Sequence, residues 1–329
     1  MIGKPRTYDY DGPSGLNSYV AGWGCFGYPV QSLLGATWNT DLADRYGEMV
    51  GEDALRSNTQ GWYAPILNIM RTPFTGRSYE SYAEDALMSG KLAAAEVRGA
   101  AKKGLYVYLK HFALNDQETN RQKVCTWAQE QAIREIYLRP FEIAVKEGGA
   151  TGIMASMNRI GYRYTAGSYP LLTQVLRNEW GFRGAVITDY VTDGGKISDQ
   201  RLAAGVDLEL STNELKLTSS KSNVYRNALR NAAHNVCWMV LNSNAMETAA
   251  EPGFPIWLLI LIIFDALALI GLIVAEIMAI RVYRHGPKQL TDQQRKRRRI
   301  IRTVVIAVLV IALAIGGYLL YSYIMGKQI

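Results

Sequence analysis

Short apolar runs alternate with amphipathic segments from the start of the chain to about residue 217, and this alternation restricts the fold more than any other feature. Residues 65–69, 105–109, 152–156 and 185–188 have the length and composition of buried strands, and each ends at polar or charged residues. Helices are expected over 40–55, 82–103, 126–147 and 171–180. Within 82–103, Ala86, Leu87, Leu92, Ala93 and Val97 recur at helical spacing; within 126–147, Ile133, Ile136, Tyr137, Phe141 and Ala144 share one face. Strands separated by helices need crossover connections, so the expectation is an α/β fold with parallel strands. No internal repeat of 20–50 residues is visible.

Composition changes abruptly after about Glu251. Residues 255–280 are almost wholly apolar, and 303–325 repeat the pattern; each is long enough to cross a hydrocarbon core of about 30 Å as a helix. Between them, 281–302 is crowded with Arg and Lys, including Arg295-Lys296-Arg297-Arg298-Arg299, and supplies much of the net charge of +7. Flanked by two spans, that run reads as a cytoplasmic loop rather than a nucleic-acid surface, which places both chain ends and the large first domain outside. Tyr318, Tyr321 and Tyr323 suit an outer aromatic belt. Asp265 and Glu276 lie within the first span, and a place facing the partner helix explains them more simply than a functional role.

The expected organisation is therefore a domain over 1–217, a linker and helix over 218–254, a span over 255–280, the basic loop over 281–302 and a span over 303–325. The helix within the second segment covers 224–246, with Leu229, Ala232, Ala233, Val236 and Val240 on one stripe. Met1-Ile2-Gly3-Lys4 runs straight into folded-looking sequence without a secretory leader, so an N-terminally incomplete piece of a longer protein is expected. Cys25, Cys125 and Cys237 are odd in number and form no spaced motif; buried free thiols are expected.

Candidate chemistry gathers at strand ends. Lys110-His111-Phe112-Ala113-Leu114-Asn115-Asp116-Gln117-Glu118-Thr119-Asn120-Arg121 follows one apolar run, and Asp189 follows another. Strand ends are where alternating strand–helix folds place reactive groups. Each residue also has a plainer explanation. Asp189 can cap, Asp11-Gly12-Pro13 can be an ordinary turn, and Arg77 or Arg121 can stiffen a loop by pairing with Glu80 or Glu118. Tyr190 offers an apolar wall for a sugar ring, and Lys110 and His111 offer donors to hydroxyls. Met154 and Met157 read as core. There is no phosphate-binding glycine loop, zinc helix or cysteine pair, so no cofactor or metal is expected.

Taken together these stretches resemble glycoside hydrolase family three, the family of many beta-glucosidases. The signposts run in order from Asp11-Gly12-Pro13 through Gly76-Arg77-Ser78-Tyr79-Glu80, Glu84-Asp85, Lys110-His111-Phe112, Asn115 with Glu118 and Arg121, Met154-Ala155-Ser156-Met157-Asn158, Gly181-Phe182-Arg183-Gly184 and Asp189 to Ala204-Gly205-Val206-Asp207. Any one is weak; the ordered set is specific. The resemblance implies a TIM-like (β/α)8 barrel and hydrolysis with retention through a covalent glycosyl-enzyme. Asp189 stands at the family's nucleophile, and Asp11, Arg77, Lys110, His111 and Arg121 stand around its terminal sugar. Tyr190 replaces a common tryptophan, and Met157 stands where many members have tyrosine.

The acid/base of the beta-glucosidase branch comes from an α/β sandwich domain, which does not follow the barrel here. The histidine-bearing signature of the other branch does not match Ala113-Leu114-Asn115-Asp116. The resemblance thus implies an exo-acting beta-glucosidase-like enzyme of the membrane, acting on a beta-glycoside or oligosaccharide, with a sandwich domain as partner and poor catalysis without it. The alternative is a membrane protein that binds carbohydrate on a degenerate barrel without cleaving it.

Overall fold

The computed structural model describes residues 4–17, 26–192, 197–212, 217, 222–246, 256–286, 289–300 and 303. The chain divides into two compact units, Met1–Ala249 and Ala250–Ile329.

In the first unit, strands β1 (Asp9–Asp11), β2 (Gly61–Tyr63), β3 (Tyr106–Phe112), β4 (Cys125–Thr126), β5 (Gly152–Ala155), β6 (Arg159–Ile160), β7 (Arg163–Tyr164) and β8 (Ala185–Thr188) alternate with helices. The helices are α1 (Gln31–Ala36), α2 (Thr40–Arg56), α3 (Ala86–Ala101), α4 (Glu130–Ala132), α5 (Arg139–Lys146), α6 (Ser198–Ala204) and α7 (Asn223–Leu241). The main sheet has the order β1-β2-β3-β5-β8, and all its pairs are parallel. Leu208 adds one parallel bridge beyond it, to Ile187. The parallel α/β architecture is thus the one the alternation demanded. A closed sheet of eight strands is not seen among the described residues.

The sheet divides its side chains by the period of two that strands impose. Trp62, Val107, Leu109, Ile153 and Val186 join a large apolar cluster that includes Ala43, Tyr46 and Val50 of α2, Leu92 and Val97 of α3, and Phe141 and Ala144 of α5. Tyr106, Tyr108, Met154 and Ile187 form a second cluster with Val236 and Met239 of α7. Helix α2 starts where the Asn39 side chain accepts the Leu42 N–H (3.0 Å), and α3 where Asp85 accepts that of Met88 (2.6 Å). The two helices pack through glycines. A Cβ on Gly99 would lie 1.9 Å from the Asp44 carbonyl oxygen.

Several expected elements shift. Residues 65–69 are not a strand; the ladder lies at β2 and resumes only as a bridge at Ile66. Pro65 has no N–H to give, and it contributes only its carbonyl, which accepts from Lys110 (3.0 Å). The helix expected over 126–147 is split into β4, α4, a π-turn at Ile133–Tyr137 and α5. Pro140 cannot donate to Ile136, and the ladder widens there: the Leu138 N–H donates to Ile133 (2.8 Å). The helix expected over 82–103 is trimmed by its Asp85 cap, and Pro170–Glu179 is π-helical. The helix expected over 224–246 is α7 followed by a 3-10 turn, Asn244–Met246. The thiols were expected to be buried, yet Cys125 is exposed and Cys237 half-buried. Cys125 sits on a two-residue strand outside the main sheet. Cys25 lies outside the described residues.

In the second unit, α8 (Ile256–His285) contains a stretch, Ile262–Arg284, long and apolar enough to cross a membrane. Its 23 residues rise about 34 Å as a helix. Asp265, Glu276 and the five residues Arg295 to Arg299 are exposed. The second expected span falls outside the described residues except for Thr303, as do Tyr318, Tyr321 and Tyr323.

Candidate active site

Because the main strands run parallel, their C-terminal ends share one edge, and there the chain sets Asp11, Lys110, His111 and Asp189. Alternation would turn Lys110 and His111 to opposite faces. The β3–β5 register shifts between Leu109 and Phe112, and that irregularity lets both side chains reach the same edge.

Lys110 is buried, and its ammonium is paired with the open carboxylate of Asp11. Burial pushes the Lys110 ammonium below its ordinary value, with Asp11 opposing. Burial pushes Asp11 up, but the charge and hydrogen bond of Lys110, with the Gly12 N–H and the charge of Arg77, together outweigh it and hold the carboxylate below its usual range. One layer deeper, the half-buried Asp9 accepts from Tyr106 (2.6 Å) and Tyr108 (3.2 Å), and desolvation of its carboxyl raises its pKa.

His111 is held on every side. Its Nδ1 lies 3.2 Å from Asn68 Oδ1, its backbone N–H donates to the same oxygen (2.9 Å), and its carbonyl accepts from Asn68 Nδ2 (3.0 Å). Nε2 lies 3.3 Å from an Arg77 nitrogen and 3.8 Å from Asp189 Oδ2. Burial, then the charges of Lys110, Arg77 and Arg121, push its pKa well below the usual value, so the ring is neutral at pH 7. Arg77 in turn is clamped by Glu80 through two bonds (3.1 and 2.6 Å), and Arg121 pairs with Glu118 (3.0 Å). Glu118 also comes within 4.0 Å of Arg77.

Asp189 follows β8 directly. Its Oδ1 accepts the Tyr190 N–H (2.7 Å), while Oδ2 is buried without a hydrogen-bond partner among the described residues. The carboxylate borders a cleft of about 150 Å³ whose lining includes Lys123, Met157, Tyr164, Tyr190 and Arg201. Asp189 is the one acid among its described lining residues. The Met157 sulfur is 3.9 Å from Gln122 Nε2, and the half-open Tyr190 ring is fixed by its hydroxyl on Thr212 (2.8 Å).

All eight residues singled out from the sequence therefore fall in one neighbourhood. Asp11, Arg77, Lys110 and Arg121 form a charged group around the neutral His111, and Met157, Asp189 and Tyr190 line the cleft. The sequence reading missed Asn68, which sits in an apolar run with nothing to set it apart. Asp116, which lies in the candidate stretch but was given no role of its own, is a buried carboxyl that burial pushes up to about 6 and that accepts the Ile69 N–H (3.1 Å). Among the described residues no group of three or more His, Cys, Asp or Glu is placed to hold a metal ion.

Comparison with known proteins gives the family. Residues 4–236 match the glycosyl hydrolase family 3 N terminal domain. The chain is 39% identical to Beta-glucosidase A of Butyrivibrio fibrisolvens over 210 residues, covering 64% of this chain and 25% of that protein. It is 38% identical to a beta-glucosidase of Rhizobium radiobacter over 212 residues, 64% and 26% of the two chains. Among solved structures it is similar to beta-glucosidase 3B from Thermotoga neapolitana in complex with glucose (TM-score 0.66, 31% identity, 73% of this chain and 36% of that one). It is also similar to a beta-glucosidase from Paenibacillus barengoltzii (TM-score 0.68, 34% identity, 76% and 29%). The chain thus spans about a quarter of the length of these curated relatives. With the family pattern matched over most of its length and its charged strand ends gathered at one edge, the chain belongs to glycosyl hydrolase family 3 as a beta-glucosidase-like N-terminal domain.

Proposed function

We propose that the first unit is the nucleophile-bearing part of a retaining, exo-acting beta-glycosidase, with Asp189 attacking the anomeric carbon of a terminal non-reducing sugar. The observation that carries this reading is the state of the Asp189 carboxylate. One oxygen is anchored by the Tyr190 N–H, while the other is buried at a strand end, unpartnered among the described residues, on a carboxylate that borders a cleft. In this role Oδ2 forms the bond to carbon as the glycosidic bond breaks, and the leaving oxygen takes a proton from a general acid. Asp11, Arg77, Lys110, His111 and Arg121 hold the sugar's hydroxyls, with Tyr190 and Met157 forming walls of the cleft.

Because Asp189 is the one acid among the cleft's described lining residues, the general acid comes from elsewhere, in this reading from a sandwich domain. The same observation favours a second reading, a sugar-binding domain without turnover. The parallel sheet is read as part of a TIM-like barrel over 1–217. The apolar helix α8 is the first of two spans, with the barrel outside and the basic loop cytoplasmic.

The test is mass spectrometry after incubation with a dinitrophenyl 2-deoxy-2-fluoro-beta-glucoside, whose leaving group needs no proton. A label on the peptide carrying Asp189, absent in Asp189→Asn, is expected. Glucose binding without any label would sink the nucleophile role and leave the binder.

A further inference from the structure

The partners of His111 fix more than its position. An arginine nitrogen can only donate, so the 3.3 Å contact from Arg77 requires Nε2 to be a bare acceptor. On the other side of the ring, Nδ1 faces Asn68 Oδ1 at 3.2 Å, which requires Nδ1 to carry the proton. The orientation of the Asn68 amide is fixed by the backbone. Its oxygen accepts the His111 N–H and its nitrogen donates to the His111 carbonyl, so a flipped amide would set donor against donor and acceptor against acceptor. Both sides of the ring therefore demand the same tautomer. Glu80 completes the arrangement by holding Arg77 through its other two nitrogens.

This tautomer bears on Asp189. Its Oδ2 lies 3.8 Å from His111 Nε2, near enough for a small shift to close a hydrogen bond if that nitrogen carried a proton. As a bare acceptor it has nothing to donate, and Oδ2 keeps its lone pairs. We infer that Asn68 is a positioning residue which locks His111 as the neutral Nδ1–H tautomer and thereby keeps Asp189 Oδ2 free of a hydrogen bond. A hydrogen bond to a carboxylate stabilises its charge and dulls it as a nucleophile; withholding one leaves the oxygen reactive. The burial of His111 under Lys110, Arg77 and Arg121 acts in the same direction, since it disfavours the doubly protonated ring. The consequence for rate rests on the nucleophile reading above; the lock itself does not.

The lock is read directly by nitrogen NMR of the full chain labelled at histidine, which has only three such residues to assign. At pH 7 the His111 ring is expected to be neutral with the proton on Nδ1. Asn68→Leu removes the acceptor and is expected to let the Nε2–H form appear. It should also slow labelling of Asp189 by the fluoroglucoside about 10- to 100-fold, the weight of a hydrogen bond to a charged group. Asn68→Asp retains an acceptor at the same place and is expected to keep the Nδ1–H form. An Nε2–H ring or an imidazolium in the parent protein overturns the inference, and so does an unchanged tautomer in Asn68→Leu. If Asn68→Leu does not fold, the parent spectrum and Asn68→Asp still decide it. The expected tautomer together with no labelling at all would strike the nucleophile reading and support the lock.

Discussion

The two faces of the central sheet are chemically opposite. Every residue of β3 is buried, yet Val107 and Leu109 meet the apolar side chains of α2, α3 and α5, while Tyr106, Tyr108 and Lys110 meet carboxylates. The first face needs no partner atoms, only volume. On the second, every buried charge or hydroxyl must be matched, and the matches run strand to strand: Asp9 to Tyr106 and Tyr108, Asp11 to Lys110. Burial alone therefore does not distinguish stabilising from functional positions in this fold. What does is whether the neighbours are interchangeable. An apolar neighbour can be replaced by another of similar size, whereas Lys110 without Asp11 would be a buried charge stripped of its paired carboxylate.

The largest break in this comparison is expected on the apolar side. Phe141 is fully buried with its ring 5.1 Å from that of Phe112. Phe141→Ala should cost about 3–5 kcal/mol in urea unfolding while leaving the affinity of the folded protein for glucose unchanged. A matching loss of glucose affinity would mean that the faces are coupled through β3.

Glu96 is the exception that sharpens the contrast, because it is a carboxyl of α3 buried on the apolar side against Tyr82. Burial pushes its pKa up from 4.5 to about 8, against the bond from the Tyr82 hydroxyl (2.5 Å). The folded state thus binds a proton that the unfolded chain releases above its own lower value. Stability contributed by this group is full below about pH 4.5 and declines as pH rises towards 8. Glu96→Gln should flatten that decline in denaturation midpoints measured across the range. An undiminished slope would assign it to other groups.

The smallest effect on stability, and the most selective, is expected at Lys110. Lys110→Met removes a buried charge whose partner, Asp11, is open to water, so the unfolding free energy should move by less than about 1 kcal/mol. Glucose binding, measured calorimetrically, should weaken about 10- to 100-fold through the lost charged donor. A large loss of stability with intact binding would reverse the assignment of the two faces.

Legibility in the sequence followed the same division. Helix α2 and strands β5 and β8 lie almost where the apolar pattern put them, because burial on one face imposes that pattern. Strand β1 went unnoticed: three residues, two of them acidic, carry no apolar signal, and they pair only because β2 lies alongside. The split helix was written in Pro140, whose missing N–H was outweighed in the reading by the apolar face around it. In the site, the residues with charge or a distinctive neighbour were legible in order along the chain. Asn68 was not, since its role exists only in the hydrogen bonds it makes to a residue 43 positions away. Glu96 was hidden by the opposite effect, because a glutamate in an amphipathic helix ordinarily faces water.

Helix α7 also decides where this domain can be cut. Asp207, at the end of the sheet, is shared by Arg177, the Val186 N–H and Asn235 of α7, and Asn244 beyond the helix donates to the Gly104 carbonyl (2.9 Å). A chain ended at residue 217, after the last bridge of the sheet, would strip one partner from a buried carboxylate and uncover Tyr106, Tyr108 and Met154. Ended after Met246, it keeps the whole set and leaves the apolar helix behind. Where this domain can be cut is therefore set by the contacts that α7 and Asn244 make beyond the sheet's last bridge, not by the sheet itself.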